Sequence, residues 1–420
     1  MPRRAVILIE GASNGLGYVQ AAQHLDLDPI VLSADPARYD YLAAEGIEAI
    51  RVDTDNLEAL IRECSRVAAD IAGITTSYEP FCATVGKLCR HFGLPGPNPT
   101  SIEQCCDKFT QRQLLAKAGV PIPAYRLAAN TTDVESSAAE IGLPVILKPA
   151  TGSGSVGVRL CRNIDELAEH TTYLLREKHI WRSSPRVLVE EFAQGPYYCA
   201  YTMGNEAIAI SAADSGPPPH FVFRECTLPA PLTGDEHERI VEVSLESLRA
   251  LGLGWGPATI ELRWTKRGPL VIEVNPRLAG APDPQLIQLA YGVDLITEHI
   301  KLAIGQECNL RRKYSRTAAE RFLVADRDGT LDWIDGVRRA AAVEGVAAVK
   351  FHVKPNTPIV RKGDYRDWMG YVVACSPSRA QTQTILERAV DLITWSITPL
   401  PALGDQAQSA EPCIRTRQTL

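Results

Sequence analysis

At 420 residues, with 45% hydrophobic and 22% charged side chains and 30 Gly beside 29 Pro, the chain has the composition of a multidomain globular protein, which excludes coiled-coil, collagenous and disordered classes. Its 44 basic and 50 acidic side chains leave a formal charge of −6, so no global field draws it to nucleic acid or anionic lipid. Apolar runs stop well short of the roughly 18 residues of a membrane span. Glu10 also cuts the run after Arg3 and Arg4 below signal-peptide length, and the 11 scattered cysteines include no Cys-x-x-Cys pair, so a cytoplasmic protein with reduced thiols is expected.

Residues 1–104 alternate short β-branched runs with helical patterns, at 5–9, 16–25, 30–32, 39–45, 57–69 and 71–75. This predicts a parallel sheet with crossover helices, a Rossmann-like α/β domain. Gly11-Ala12-Ser13-Asn14-Gly15-Leu16-Gly17 lies between its first strand and first helix, where backbone amides can hold a pyrophosphate. The turn resembles the cofactor turn of short-chain dehydrogenases, but no tyrosine has the Lys four residues on that those enzymes use. A nicotinamide site and a plain tight turn therefore both stand as readings. The run Leu94-Pro95-Gly96-Pro97-Asn98-Pro99 admits neither helix nor inner strand and marks a domain edge.

A second domain, 105–305, opens on a helical stretch at 105–118 and continues with strands at 145–148, 156–160, 187–191, 197–203, 258–264 and 270–275, an α+β pattern with antiparallel pairing. A third block, 306–400, reads strand 318–324, helix 333–342, strands 346–353 and 370–374, and helix 380–393, too closely spaced to stand apart from its neighbour. The polar, aperiodic tail 401–420 is expected to be disordered.

Two segments carry chemistry. In Lys148-Pro149-Ala150-Thr151-Gly152-Ser153-Gly154-Ser155-Val156-Gly157, small residues let consecutive N–H groups approach phosphate oxygens while Lys148 adds a point charge; a flexible hairpin loop is the alternative. In the hairpin 259–275, a three-residue loop Lys266-Arg267-Gly268 pairs positions whose numbers sum to 534 and sets Glu261 opposite Glu273, with Asn275 on the same face. Ile260, Leu262, Ile272 and Val274 are expected to bury the other face. Like charges directly opposite call for a cation between them, and all-oxygen ligands suit Mg²⁺ held against nucleotide phosphates. Two exposed glutamates on a solvent face are the alternative.

Together these elements resemble the ATP-grasp superfamily, and within it the carboxylate–amine ligases that include the L-amino-acid ligases. The matching order is Asp107-Lys108 opening a helix, then 145–149 with the Gly/Ser loop, Val187-Leu188-Val189-Glu190-Glu191-Phe192, Glu261 and Glu273-Val274-Asn275-Pro276-Arg277. The resemblance implies an ATP-grasp fold with a biotin-carboxylase-type N-terminal domain, a lid at about 124–193 and a small C-terminal α+β subdomain. It assigns ATP to Lys108, Lys148, Ser153, Gly154, Ser155, Glu190, Glu191, Phe192, Ala193 and Tyr197. Glu261, Glu273 and Asn275 would hold Mg²⁺, as two ions that Mn²⁺ could replace. Arg277 and Lys148 would act on the transferred phosphoryl group, and substrate would meet Arg277, His220, Arg224, Glu225 and Gly280.

The implied activity is amide formation between an amino acid or small organic acid and an amine, through an acylphosphate, with ADP and phosphate released. Activation of bicarbonate or formate is the alternative within the superfamily, and a nicotinamide oxidoreductase a distant one. The partners implied are small-molecule carboxylates and amines, a second copy in a homodimer, and neither nucleic acid nor membrane. Two departures from the family pattern bear on substrate: Tyr197 stands where a ribose-binding Glu is common, and Phe223 and Cys226 stand where L-amino-acid ligases commonly have Glu and His.

Overall fold

A computed structural model describes residues 4–67, 70–176 and 186–399; the tail expected to be disordered and part of the lid stretch lie outside the described residues. The N-terminal sheet is parallel, in the order Glu48–Arg51, Asp28–Ser33, Ala5–Ile9, Ile71–Thr75. Alternation along Ala5–Ile9 divides its side chains. Ile7 and Ile9 pack with Ile30, Leu60 and Leu88, whereas Val6 and Leu8 join Tyr18 and Val19 in a core continuous with the next part of the molecule.

The glycine-rich turn is closed by its own neighbours. The Tyr41 hydroxyl donates to the Gly11 carbonyl at 3.0 Å, and a Cβ at Gly11 or Gly15 would lie 2.0 or 2.2 Å from that oxygen. Glu10 is consumed as well, accepting from Ser33 Oγ, the Ala34 N–H, Tyr39 and Thr54. These glycines permit close packing, which supports the tight-turn reading over the nicotinamide one.

The stretch 105–118 is two helices, Pro99–Cys106 and Lys108–Lys117, because extended Asp107 breaks the first and caps the second by accepting from the Thr110 N–H at 2.8 Å. Lys108 thereby starts a helix and turns toward the interior. The following antiparallel sheet has the order Tyr125–Ala128, Val187–Glu191, Val145–Pro149, Arg159–Cys161 and a core of its own around Val134, Leu147, Leu167 and Val189. The strand expected at 156–160 begins only at Arg159, since Gly152, Gly154, Ser155 and Gly157 all adopt positive φ and make the preceding stretch a loop.

Eight antiparallel strands form the central sheet, in the order Gly268–Asn275, Pro257–Thr265, Tyr197–Met203, Glu206–Asp214, Glu225–Leu228, Thr317–Val324, Trp368–Ser376, Val346–Phe351. The last three come from the third block, which is thus sewn into its neighbour. Trp333 belongs not to a helix but to the strand Gly329–Asp335; Gly336, at φ +83°, turns the chain into a short helix at Val337–Ala341. That strand lies in a separate sheet between Pro358–Ile359 and Thr394–Thr398.

Cross-strand partners share a face, so the register places Glu273, Glu261, Cys199, Cys226 and Glu320 on one side of the central sheet. On the other side Ala200, Ile260, Leu262 and Val274 pack under the helix Gly234–Leu251. The hairpin turn has two residues rather than three, with Thr265 opposite Gly268. A bulge leaves Ile272 unpaired and returns Glu261 to its place opposite Glu273. Ile272 consequently lines the cavity instead of the core.

His299, on the helix Leu295–Ala303, joins the two parts by bonding the Tyr18 hydroxyl through Nδ1 at 2.6 Å. Burial pushes its pKa down to about 3 from 6.5. Between those values the unfolded chain binds a proton that the folded one refuses, so this contribution is complete above pH 6.5 and declines as pH falls, by about 1.4 kcal/mol per pH unit. Urea unfolding from pH 7 to pH 4 should show this slope, and His299→Gln should flatten it.

Candidate functional site

The cavity lies between the four-stranded sheet that carries Lys148, the Glu261 face of the central sheet and the segment around Tyr365 and Trp368. Fifteen of the residues named from the sequence line it: Lys108, Lys148, Ser153, Gly154, Ser155, Glu190, Glu191, Phe192, Ala193, Tyr197, Glu261, Glu273, Asn275, Arg277 and Gly280. The structure does not bring His220, Arg224 or Glu225 to this wall. His220 packs on Gly363, the Arg224 backbone bonds Asp214 and Phe322, and Glu225 pairs with Arg321 on the adjoining strand at 2.5 Å. Phe223 does line the cavity, and Cys226 lies beside its wall residues Asp283 and Glu320.

At one end three buried ionic groups meet. Glu190 takes Arg112 Nε at 2.5 Å on one oxygen and Lys148 on the other, and Arg112 also donates to the Ile272 carbonyl. Burial alone would raise the Glu190 carboxyl, but the two cations outweigh it and hold it below the ordinary range. Lys148 is lowered by burial, which outweighs the raising effect of the Glu190 charge, and Arg112 adds to the lowering. As a committed acceptor, Glu190 can face a ligand only beside these cations. Arg112 was not anticipated, although it follows Lys108 by four residues on one helical face.

Lys108 bridges the glycine loop to the acidic hairpin, donating to the Gly152 carbonyl at 2.6 Å and pairing with Glu273 at 2.5 Å. Glu261 receives the Tyr197 hydroxyl and the Asn275 side-chain amide, the latter at 3.2 Å. Burial and then the Glu273 charge push Glu261 up to about 7, whereas Lys108 and Lys148 outweigh burial at Glu273 and hold it low. A carboxylate raised by its neighbour's charge fits a divalent cation, and the donors are carboxylate and amide oxygens, the set that suits Mg²⁺. The Tyr197 phenol is directed to Glu261.

Arg277 pairs at 2.8 Å with Glu79, a residue of the N-terminal domain with no motif to mark it, so that domain holds one of the cavity's cations in place. Arg263 bonds the Gly195 carbonyl and lies over the rings of Tyr197 and Phe221, and Phe221 stacks on Phe192. The site thus combines a glycine loop, several cationic side chains, a pair of facing carboxylates and an aromatic wall. Such a set can bind a nucleoside triphosphate and offset charge on transferring phosphoryl oxygens.

Residues 107–311 match the family described as carbamoyl-phosphate synthase L chain, ATP binding domain, and residues 321–398 match L-amino acid ligase C-terminal domain 2. The chain is 64% identical over 409 residues to the uncharacterized protein y4rH of Sinorhizobium fredii, covering 97% of this chain and 86% of that one. It is 27% identical over 275 residues to human carnosine synthase 1, covering 61% of this chain but only 33% of that longer protein. The crystal structure of an L-amino acid ligase from Bacillus licheniformis superposes with a TM-score of 0.81 at 19% identity, covering 95% of this chain and all of that one, a likeness of fold. Among the described residues no helix is long and apolar enough to cross a membrane.

Glu190 is the shared partner of two buried cations, so Glu190→Gln leaves both Arg112 and Lys148 without a counter-charge and should destabilise the protein by about 3–5 kcal/mol. Adding Arg112→Met, which removes one of the two stranded cations, should recover part of that loss, as a double-mutant cycle of urea unfolding would read.

Proposed function

Because the chain belongs to the ATP-grasp superfamily, we propose that it is an ATP-dependent carboxylate–amine ligase that forms an amide bond through an acylphosphate and releases ADP and phosphate. The observation that carries this reading is the pairing of Glu261 with Glu273 in the cavity that also holds Lys108, Lys148 and the glycine loop. The amino-acid-ligase match of residues 321–398 and the likeness to carnosine synthase 1 support an amine as the acceptor.

A carboxylate is a poor electrophile until its oxygen carries a good leaving group. In the proposed first step that oxygen bonds the γ-phosphorus while the bond to the ADP oxygen breaks. Lys148 and the amides of 152–157 would hold the phosphates, and Arg277 would offset charge on the transferring oxygens. In the second, the amine attacks the acyl carbon, phosphate leaves and the amine gives up a proton. Mg²⁺, in the proposal two ions that Mn²⁺ can replace, supplies Lewis-acid charge compensation when held by Glu261, Glu273 and Asn275. Closure of the lid would exclude water that hydrolyses the acylphosphate.

The test is phosphate release from ATP and Mg²⁺ across amino acids and small acids, singly and in pairs, with mass spectrometry of products. Release dependent on a pair, with a product lighter than the pair by one water, is expected. Release with bicarbonate or formate alone would favour the superfamily's other chemistry. Glu273→Gln should lower turnover by about 10²-fold or more while thermal unfolding shows the fold retained.

A further inference from the structure

We infer that Asp283 and Glu320 bind the ammonium group of an amino-acid substrate, at a subsite walled by Phe223, Phe322 and Trp368 in the same cavity. The inference rests on the ligase reading for the kind of substrate, while the site itself is read from the structure.

Glu320 lies in the strand Thr317–Val324, opposite Cys226, and Asp283 starts the helix Asp283–Tyr291. Atoms of Cys226, Asp283 and Glu320 lie within 4.8 Å of one another, and both carboxylates line the cavity. Glu320 is fully buried, yet neither of its oxygens has a hydrogen-bond partner among the described residues. Such a group is strongly penalised unless a donor reaches it. Asp283 cannot donate as a carboxylate; it accepts from the Tyr201 hydroxyl at 3.0 Å. The pair is complete only with a proton shared between its members or with donors brought by a ligand.

The surroundings favour an organic cation. Tyr201, Cys199, Cys226 and Tyr371 face the pair from neighbouring strands, all kept neutral by burial, and the charge of Arg277 reaches Asp283. Burial raises both acids, and at Glu320 the Asp283 charge adds to it, which favours a proton shared by the pair until an ammonium displaces it. Trp368 stacks on Phe322 at 4.0 Å and Phe223 meets them edge-on. These rings suit the alkyl stem and charge of an ammonium, whose N–H groups serve both carboxylates, whereas a hard divalent cation would find few oxygens there. With Arg277 for the carboxylate, the cavity matches both charges of a zwitterion.

The test compares amino acids with their des-amino analogues, such as L-leucine with 4-methylpentanoate and L-phenylalanine with 3-phenylpropanoate, as carboxylate donors. The wild type should prefer the amino acid, and Glu320→Gln should raise its KM by roughly 10–100-fold with kcat less affected, erasing the preference. Asp283→Asn is the second variant should the first not fold. Equal use of both acids by the wild type, or a preference unchanged in the variant, overturns the inference while leaving the ligase intact. Calorimetry of amino-acid binding with Mg²⁺ and a non-hydrolysable ATP analogue, in two buffers of different ionisation enthalpy, reads the site without turnover. Glu320-dependent binding with proton release sustains the inference even if no acid is activated, and absence of binding sinks it. Stoichiometric metal found in the purified protein by elemental analysis, and lost in Glu320→Gln, would also overturn it.

Discussion

Two carboxylates held opposite each other across one hairpin set the terms for the rest of this molecule. Glu261 and Glu273 repel, and burial sharpens the repulsion, so the fold must bring positive charge to them. It does so from outside the hairpin. Lys108 arrives because Asp107 breaks and restarts a helix, and Lys148 arrives on the strand Val145–Pro149. The bulge at Ile272 matters for the same reason, since without it Glu273 would fall one residue out of register and onto the opposite face.

The charges are distributed rather than cancelled. Glu190 is saturated by Arg112 and Lys148, Glu79 holds Arg277, and Tyr197 with Asn275 steadies Glu261. What remains short of positive charge is Glu261, beside a Glu273 already paired with Lys108, and, farther along the same face, Asp283 with Glu320. The first suits a divalent cation with a nucleotide's phosphates, and the second an organic ammonium. One sheet face therefore carries both halves of the proposed reaction, with Arg277 serving the same cavity.

Much of this arrangement was legible in the sequence, and the exceptions have physical causes. Short β-branched runs and glycine placement located the first strands and the glycine loop, because these depend on local geometry, while the pairing of Glu261 with Glu273 came out right because the bulge at Ile272 offsets a turn one residue shorter than expected. Asp107-Lys108 was legible as the opening of a helix, whereas the end of the preceding helix at Cys106 was hidden because helical periodicity runs across it. Trp333 was misassigned because Gly336, at positive φ, ends a strand there rather than lying within a helix. Glu79, Asp283 and Glu320 could not be found at all, since only the packing of distant segments brings Asp283 and Glu320 to the cavity and Glu79 to Arg277. The substrate-loop residues His220, Arg224 and Glu225 were selected by position in a motif, and strand alternation directs Glu225 to Arg321 on the adjoining strand.

In the proposed reaction this cavity phosphorylates a carboxylate. A carboxylate donor labelled with ¹⁸O in its carboxyl group, supplied together with ATP and an amine, puts that step to the test through the mass of the phosphate released. Transfer of one labelled oxygen to each phosphate is expected, because the acyl carbon–oxygen bond breaks when the amine displaces the phosphate. Phosphate released without label, while amide accumulates, would rule out the acylphosphate.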